Sequence, residues 1–394
     1  MTTADADRPL LRRRPVQLAL AAAVLVALVA VLVRCATDHP EPDRTRPGRL
    51  LSQEAITSGL PAWARGWRIT YTTEDGRGRH VEASAVVVAG PRGLSEQAPV
   101  LAVGHGTTGI VADCAPSEFD DLFPLHPSAP VVPLLRQGWV AVQADYIGLG
   151  EPGPDGVHPY LDGRSEAHAV LDATRAAHAL DDLDLSAKTV LYGTSQGGHA
   201  VLFAAGLAPS YAPEIDLLGV AAAAPATDLG GLLRALGASP GGLVIAGYLA
   251  VSWEAVHPDA HVREQVTDWD LATAVAAGCT SEAAAIAAKA RPAAPLLPPD
   301  ALSGALGALL AQNTPTLPID VPVLIGQGLA DPTVRAPVQA RWVAQRCAAG
   351  QHLDFRTYPG LTHDTIAAAG SPFVPQVDRW IDDRYRGLPA TPTC

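Results

Sequence analysis

The sequence predicts a doubly wound α/β protein with a mostly parallel sheet and a helical cap inserted late in the chain. Short apolar runs recur along it, helix-compatible segments separate most of them, and one gap between two runs is too long for a connection. With 394 residues, 48% hydrophobic and 17% charged, the chain has enough apolar material to order most of its length.

The elements follow in chain order. Arg12, Arg13 and Arg14 precede an uninterrupted apolar run over residues 18–33, and residues 34–49 are polar and rich in proline. This is the pattern of an export segment, residues 1–34, followed by a polar linker, residues 35–50. The run spans roughly 24 Å as a helix, slightly less than a hydrocarbon core of about 30 Å, so a cleaved signal and a membrane anchor both remain open. No A-x-A cleavage site follows convincingly, which favours an uncleaved anchor with the arginines on the cytoplasmic side. Residues 68–72 and 80–88 alternate and read as paired strands, whereas 99–104, 138–145, 188–193, 217–224, 321–328 and 353–358 are mostly continuous apolar runs, as strands buried on both faces require. Helical patterns are clearest over 165–180, 196–208, 337–349 and 372–384. The α/β core is therefore predicted over 51–225 and 319–394, with the cap over 226–318 and helix over its alanine-rich part, 271–311.

Charge narrows the partners. The first 49 residues hold 8 of the 28 basic and 5 of the 40 acidic residues, which leaves residues 50–394 with 20 against 35 and a net charge near −15. A chain this acidic, with Lys188 and Lys289 its only lysines, lacks the clustered positive charge that a phosphate backbone needs, so nucleic acid is excluded as a partner. Apart from Cys35, the cysteines are Cys114, Cys279, Cys347 and Cys394, an even number that predicts two disulfides in an oxidising compartment and allows three pairings. Neither C-x-x-C nor H-E-x-x-H occurs, so no metal is expected.

The chemistry begins at Gly193-Thr194-Ser195-Gln196-Gly197. With 15 serines and 36 glycines, G-x-S-x-G arises by chance roughly 0.13 times, so the pentapeptide alone is a weak signal. Its context strengthens it: it follows the apolar strand "TVLY" directly and opens a helix, where glycines permit the sharp turn of a nucleophile elbow. A serine hydroxyl needs a base within hydrogen-bond reach and a carboxylate to orient that base, in the chain order Ser, acid, His. Only His352 and His363 lie beyond the 321–328 strand, and His363, in the loop after the last strand, is the expected base. Asp331 follows "VLIGQG" at a turn favoured by Pro332 and is the expected acid, with Asp364 next in line. Asp145, Asp162 and Glu166 read as solvated or hydrogen-bonded loop residues, and His105 and His199 as residues that shape or pack. The Gln196 backbone amide supplies one expected oxyanion donor, and Thr107 or Thr108, in the small-residue loop after the 99–104 strand, the other.

Taken with "GHGTTG", "CAPS", "ADYIGLG", "HPYLDGRSEAHAVLDATRAA", "SYAPEI", "GLADPTV" and "YPGLTH", the motif "YGTSQGGHA" resembles the secretory lipase family typified by the Candida lipase A, over about residues 50–385. The resemblance implies an α/β-hydrolase with a helical cap, a triad of Ser195, Asp331 and His363, and no cofactor. It also implies the disulfides Cys114–Cys279 and Cys347–Cys394. One departure is Thr108, where the yeast lipase has an acidic residue, which puts a side-chain contribution to the oxyanion hole in question. The residue after the nucleophile varies within the resemblance and is Gln196 here.

The apolar, uncharged stretch over 241–251 either packs into the cap core or lines an acyl tunnel, and core packing is the favoured fate. An acidic surface repels anionic headgroups but exerts no such force on a neutral ester. The expected function is therefore hydrolysis of neutral carboxylic esters by an exported lipase or esterase. It needs no protein partner, and meets a membrane through its N-terminal segment if that is retained. A serine peptidase or acyltransferase on the same elbow, or an inactive membrane-tethered binding ectodomain, are the alternatives.

Overall fold

Among the described residues, 45–94, 97–119 and 130–394 of a computed structural model, nine strands hydrogen-bond into one sheet. They are β1 (Leu50–Ala55), β2 (Arg65–Glu74), β3 (His80–Ala89), β4 (Ala98–Gly104), β5 (Val140–Ala144), β6 (Leu185–Thr194), β7 (Asp216–Ala223), β8 (Val323–Gly328) and β9 (Leu353–Tyr358). The order is β1-β2-β3-β5-β4-β6-β7-β8-β9. The first three strands are antiparallel, β3 pairs antiparallel with β5, and every pair from β5 to β9 is parallel. This is the antiparallel start and doubly wound continuation that the apolar runs predicted.

The helices are α1 (Val131–Gln137), α2 (Gly163–Ala177), α3 (Gln196–Tyr211), α4 (Leu229–Leu236), α5 (Pro240–Val256), α6 (Trp269–Ala276), α7 (Thr280–Lys289), α8 (Gly304–Gln312), α9 (Ala336–Ala348) and α10 (Phe373–Tyr385). Several start where a side-chain oxygen accepts an otherwise unpaired N–H: Asp162 from Ser165, Asp228 from Gly231, Ser239 from Gly242 and Asp268 from Leu271. Alternate residues of the central strands face opposite sides. Val87, Val100 and Ala102 join a core with α2, α3 and α9, while Val88, Leu101 and Val103 join another with α1 and α10.

Helices α4 to α8 all fall between β7 and β8 and build a third core of their own. That core takes in Ile110, Tyr160 and Leu161, from loops after β4 and β5, and Val334, from the loop after β8, so the insertion packs on the carboxyl ends of the strands. The stretch 241–251 lies in α5, whose Leu243, Val244, Ala246 and Leu249 are buried in this core. The cysteines pair as the resemblance implied. Cys114–Cys279 links the core to the insertion across 165 residues, and Cys347–Cys394 ties the C-terminus to α9.

Two elements lie outside the expected pattern, and one expected helical part is subdivided. β1 was not expected, because its sequence LLSQEA is polar and lies half-exposed or exposed along the sheet edge, where no apolar pattern is required. α1 was not expected either, because Pro133 sits in its first turn, where a proline is tolerated. The alanine-rich part, 271–311, is mostly helical as expected, in three separate helices. It breaks at Cys279 and again through the proline-rich residues 292–299, leaving α6, α7 and α8 as separate helices. The expected export segment, Cys35 and most of the expected linker lie outside the described residues. Among the described ones no helix is long and apolar enough to cross a membrane.

One buried carboxylate lies outside these considerations. Asp378 on α10 has a buried Oδ1 without a hydrogen-bond partner among the described residues, and burial pushes its pKa up to about 7. A carboxyl whose pKa is raised on folding contributes stability that is full below its unfolded value and is lost as pH rises through 7. Asp378→Asn is therefore expected to stabilise the protein by about 1 to 2 kcal/mol at pH 8. The gain should shrink towards zero near pH 4, as urea unfolding of both proteins at pH 4, 6 and 8 would reveal. A gain independent of pH would contradict this account.

Candidate active site

Ser195 stands between the end of β6 and the start of α3 with φ 53° and ψ −118°, a conformation unfavourable for any residue with a side chain. Neighbouring hydrogen bonds hold it there. Its N–H donates to Ala223 O at 3.0 Å, and its carbonyl accepts from Ala226 N at 3.2 Å and His199 N at 3.1 Å. The glycines of the motif serve close approach. A Cβ on Gly193 would overlap the Gly197 carbonyl, one on Gly197 would overlap the Gly104 carbonyl, and one on Gly198 would lie 2.6 Å from Pro225 Cβ. Strand β6, helix α3 and the end of β4 thus meet backbone to backbone, leaving Ser195 Oγ raised above the turn.

The acid and the base reach it from two loops joined by backbone hydrogen bonds. After β8, Leu329 N donates to Tyr358 O and Ala330 N to Leu361 O, both at 3.0 Å, which ties the Asp331 loop to the His363 loop. Asp331 Oδ1 accepts from Thr333 N at 2.8 Å and Val334 N at 2.9 Å, and Oδ2 from Gln327 Nε2 at 3.3 Å. Oδ2 also accepts from His363 Nδ1 at 2.8 Å, so the opposite ring nitrogen, Nε2, is left to accept from Ser195 Oγ at 2.9 Å. The Asp331 side chain is fully buried while that of His363 keeps 16% exposure, so the carboxylate is shielded and the imidazole reachable. Of the competing acids, Asp320 and Asp364 are exposed and Asp354 pairs with Arg356.

The expected oxyanion loop follows β4. Gly106 Cα packs near Ser195, its Cβ position lying 3.9 Å from Ser195 Cβ. The His105 ring lies between the carbonyls of Gly106 (2.6 Å) and Asp145 (3.2 Å), which is the shaping role expected of it. The insertion braces the loop from outside. Thr280 Oγ1 donates to Thr107 O at 2.9 Å and Thr280 N to Thr108 O at 2.8 Å, next to the Cys114–Cys279 bond. Thr107 Oγ1 lies 2.8 Å from Tyr160 OH, and the buried Thr108 Oγ1 has no partner among the described residues. Gln196 N opens α3, which has no side-chain cap.

Beneath the turn lies a buried polar cluster. Glu166 Oε1 accepts from Gln196 Nε2 at 2.7 Å and Leu161 N at 3.0 Å, and Oε2 lies 2.6 Å from His199 Nδ1. His158, whose pKa burial holds down to about 3, donates from Nδ1 to Ile147 O and accepts at Nε2 from Gln196 Nε2 at 2.7 Å. The reading of Glu166 as a loop residue is thereby corrected: it sits in the first turn of α2, fully buried, and burial raises its pKa. Asp145 and Asp162 are buried as well, the first bonded to Ser84 Oγ and Ser117 N, the second capping α2 and bonded to His257. Sequence reasoning missed Glu166, Gln327, Thr280 and Asn313. A usable signal existed for two of them: Gln327 interrupts an apolar strand, and Glu166 falls on the helical stripe of Val170, Ala173 and Ala177.

Comparison with known proteins places the chain in a family and a fold. The profile described as Secretory lipase matches residues 127–393, more than half of the chain. Lipase A of Moesziomyces aphidis is 31% identical over 126 residues, 32% of this chain and 25% of the relative. A secreted triacylglycerol lipase of Malassezia globosa is 30% identical over 201 residues, 48% of this chain and 41% of the relative. The matched part thus spans a quarter to two-fifths of the length of these curated relatives. Candida antarctica lipase A superposes with a TM-score of 0.72 at 21% identity, covering 90% of this chain and 86% of that one. A rice cell wall degrading esterase from Xanthomonas oryzae superposes with 0.65 at 22% identity, covering 87% and 98%. These likenesses establish the α/β-hydrolase fold.

The backbone contact at the turn leads to a direct expectation. Gly197→Ala should destabilise the protein by about 3 kcal/mol or more, because neither the Gly104 carbonyl nor α3 can withdraw without breaking the turn. Gly241→Ala, in the open first turn of α5, should change stability by less than about 1 kcal/mol. Equal midpoints for the two variants in urea unfolding would remove the crowding argument.

Proposed function

Because the chain belongs to the secretory lipase family, we propose that it hydrolyses carboxylic esters of neutral lipids through an acyl-enzyme on Ser195. The observation that carries this reading is the hydrogen-bond chain from Ser195 Oγ through His363 to Asp331. Ser195 Oγ attacks the acyl carbonyl while His363 Nε2 takes its proton, and Asp331 holds the Nδ1–H and stabilises the imidazolium that forms. The carbonyl oxygen becomes an oxyanion, stabilised by Gln196 N–H at the open end of α3 and by a donor from Thr107 or Thr108. His363 returns the proton to the leaving alcohol. Water, activated by the same imidazole, then releases the acid from Ser195.

Residues 226–318 act as the cap in this reading. Their shared core with the loops around Ser195 supports it, as does the apolar character of α5. The acidic surface favours an uncharged ester over an anionic one. Export belongs to the same proposal, supported by the apolar run at 18–33 and by the secreted Malassezia relative.

Hydrolysis of p-nitrophenyl esters from two to sixteen carbons, beside Ser195→Ala, tests the reading. Turnover should depend on Ser195, and Asp331→Asn should lower kcat by about 10⁴-fold, since the imidazole then loses its orienting acceptor. A fluorophosphonate should label Ser195. Peptide turnover without ester turnover would move the assignment to a peptidase, and absence of labelling would leave a binding domain.

A further inference from the structure

The side chains of the buried cluster beneath the nucleophile turn have no role in the steps above, yet their hydrogen-bond partners constrain where the protons lie. The carbonyl of Asn313 can only accept, and it lies 2.8 Å from His199 Nε2, so that nitrogen carries a hydrogen. One further proton then lies between His199 Nδ1 and Glu166 Oε2, which leaves the pair neutral whichever atom holds it. Glu166 Oε1 requires a donor from Gln196, so the Gln196 amide cannot flip without setting two acceptors face to face. Its second amide hydrogen goes to His158 Nε2, whose ring proton is fixed on Nδ1 by Ile147 O. The cluster also receives the insertion: Asn313, directly after α8, accepts from Gly163 N through Oδ1 at 2.9 Å.

We propose that Glu166 is a positioning residue for ester hydrolysis, holding Gln196 and His199 so that the Gln196 N–H stays aimed at the oxyanion. This rests on the reading of Ser195 as nucleophile. Gln196 and His199 are three apart on α3 and lie on one side of its first turn, so one carboxyl group grips the helix end at two points. That end carries a strained Ser195 and no side-chain cap, and such a conformation persists only where its surroundings determine it. The proton shared with His199 keeps net charge off the cluster. A bare carboxylate one side chain away would oppose the negative charge that develops on the substrate oxygen.

Steady-state kinetics on a p-nitrophenyl ester, with phenylboronic acid as a tetrahedral adduct of the serine, distinguish this role from structural support. Glu166→Ala should lower kcat about 10²-fold, the loss typical of one misaligned oxyanion donor, with KM changed less than about 2-fold. Boronate affinity should fall in step with kcat/KM. In Glu166→Gln the amide oxygen can accept from Gln196 and Leu161 and its nitrogen can donate to His199, so most of the loss should be restored. If Glu166→Ala does not fold, Gln196→Ala carries the test. It keeps the backbone N–H, cuts the tie to Glu166, and should lower kcat about 10-fold with KM unchanged. Wild-type kcat in Gln196→Ala, or in folded Glu166→Ala, overturns the inference, as does a rise in KM without a fall in kcat. Turnover retained in Ser195→Ala overturns the reading of the nucleophile instead, and a wild-type chain that hydrolyses no ester takes both down.

Discussion

The backbone contact among Gly104, Gly193 and Gly197 is the constraint from which the rest of the site follows. Two parallel strands and one helix can approach this closely only where none of the three positions has a Cβ, and the Gly104 carbonyl sits where a Gly197 side chain would begin. The approach forces the chain to reverse between Thr194 and Gln196, which places Ser195 at positive φ and its hydroxyl above the sheet. It also starts α3 without a side-chain cap, so the first N–H groups of the helix are left without side-chain acceptors beside the serine. Strain at Ser195, the raised hydroxyl and helix N–H groups without a side-chain cap are three results of one packing decision.

The remaining two groups are brought in by a different device. Asp331 and His363 lie 32 residues apart on loops that follow adjacent parallel strands, and parallel pairing delivers both loops to the same end of the sheet. Backbone hydrogen bonds between the loops then set the spacing. Because Asp331 accepts from two backbone N–H groups and from Gln327 as well as from His363, its carboxylate is satisfied in a site closed to water. His363 keeps its exposed edge towards the serine and any incoming substrate.

The insertion is bound to the same end through polar and covalent ties, not by apolar packing alone. Thr280 holds the carbonyls of Thr107 and Thr108, Ser252 Oγ donates to His158 O, Trp253 Nε1 donates to Tyr160 O, and Cys114–Cys279 crosses the junction. These ties end on the two loops beside Ser195. The loop after β4 is therefore determined jointly by that strand, which launches it, and by the insertion, which clamps its carbonyls.

Much of this was legible in the sequence. Continuous apolar runs marked the central strands, since a parallel strand covered on both faces has no polar side to show, and the glycine spacing around Ser195 marked the turn. The order Ser, Asp, His and the turn residues at Pro332 were enough to select Asp331 and His363 from the acids and histidines of the chain. Edge strand β1 and the short helix α1 were not legible, because exposure in the first and a tolerated proline in the second remove the periodic signal. The buried cluster was out of reach for a stronger reason. His158 with Glu166, Gln196 with His199, and Asn313 come from three separate stretches of the chain, and although Glu166 falls on an apolar helical stripe, nothing in the sequence pairs it with the others. By itself the sequence determined the strand pattern, the turn at Ser195 and the choice of Ser195, Asp331 and His363 as the candidate residues, because those depend on local backbone chemistry and chain order. Only the tertiary structure decided which carboxyl is buried against which imidazole, because that depends on where long-range packing excludes water.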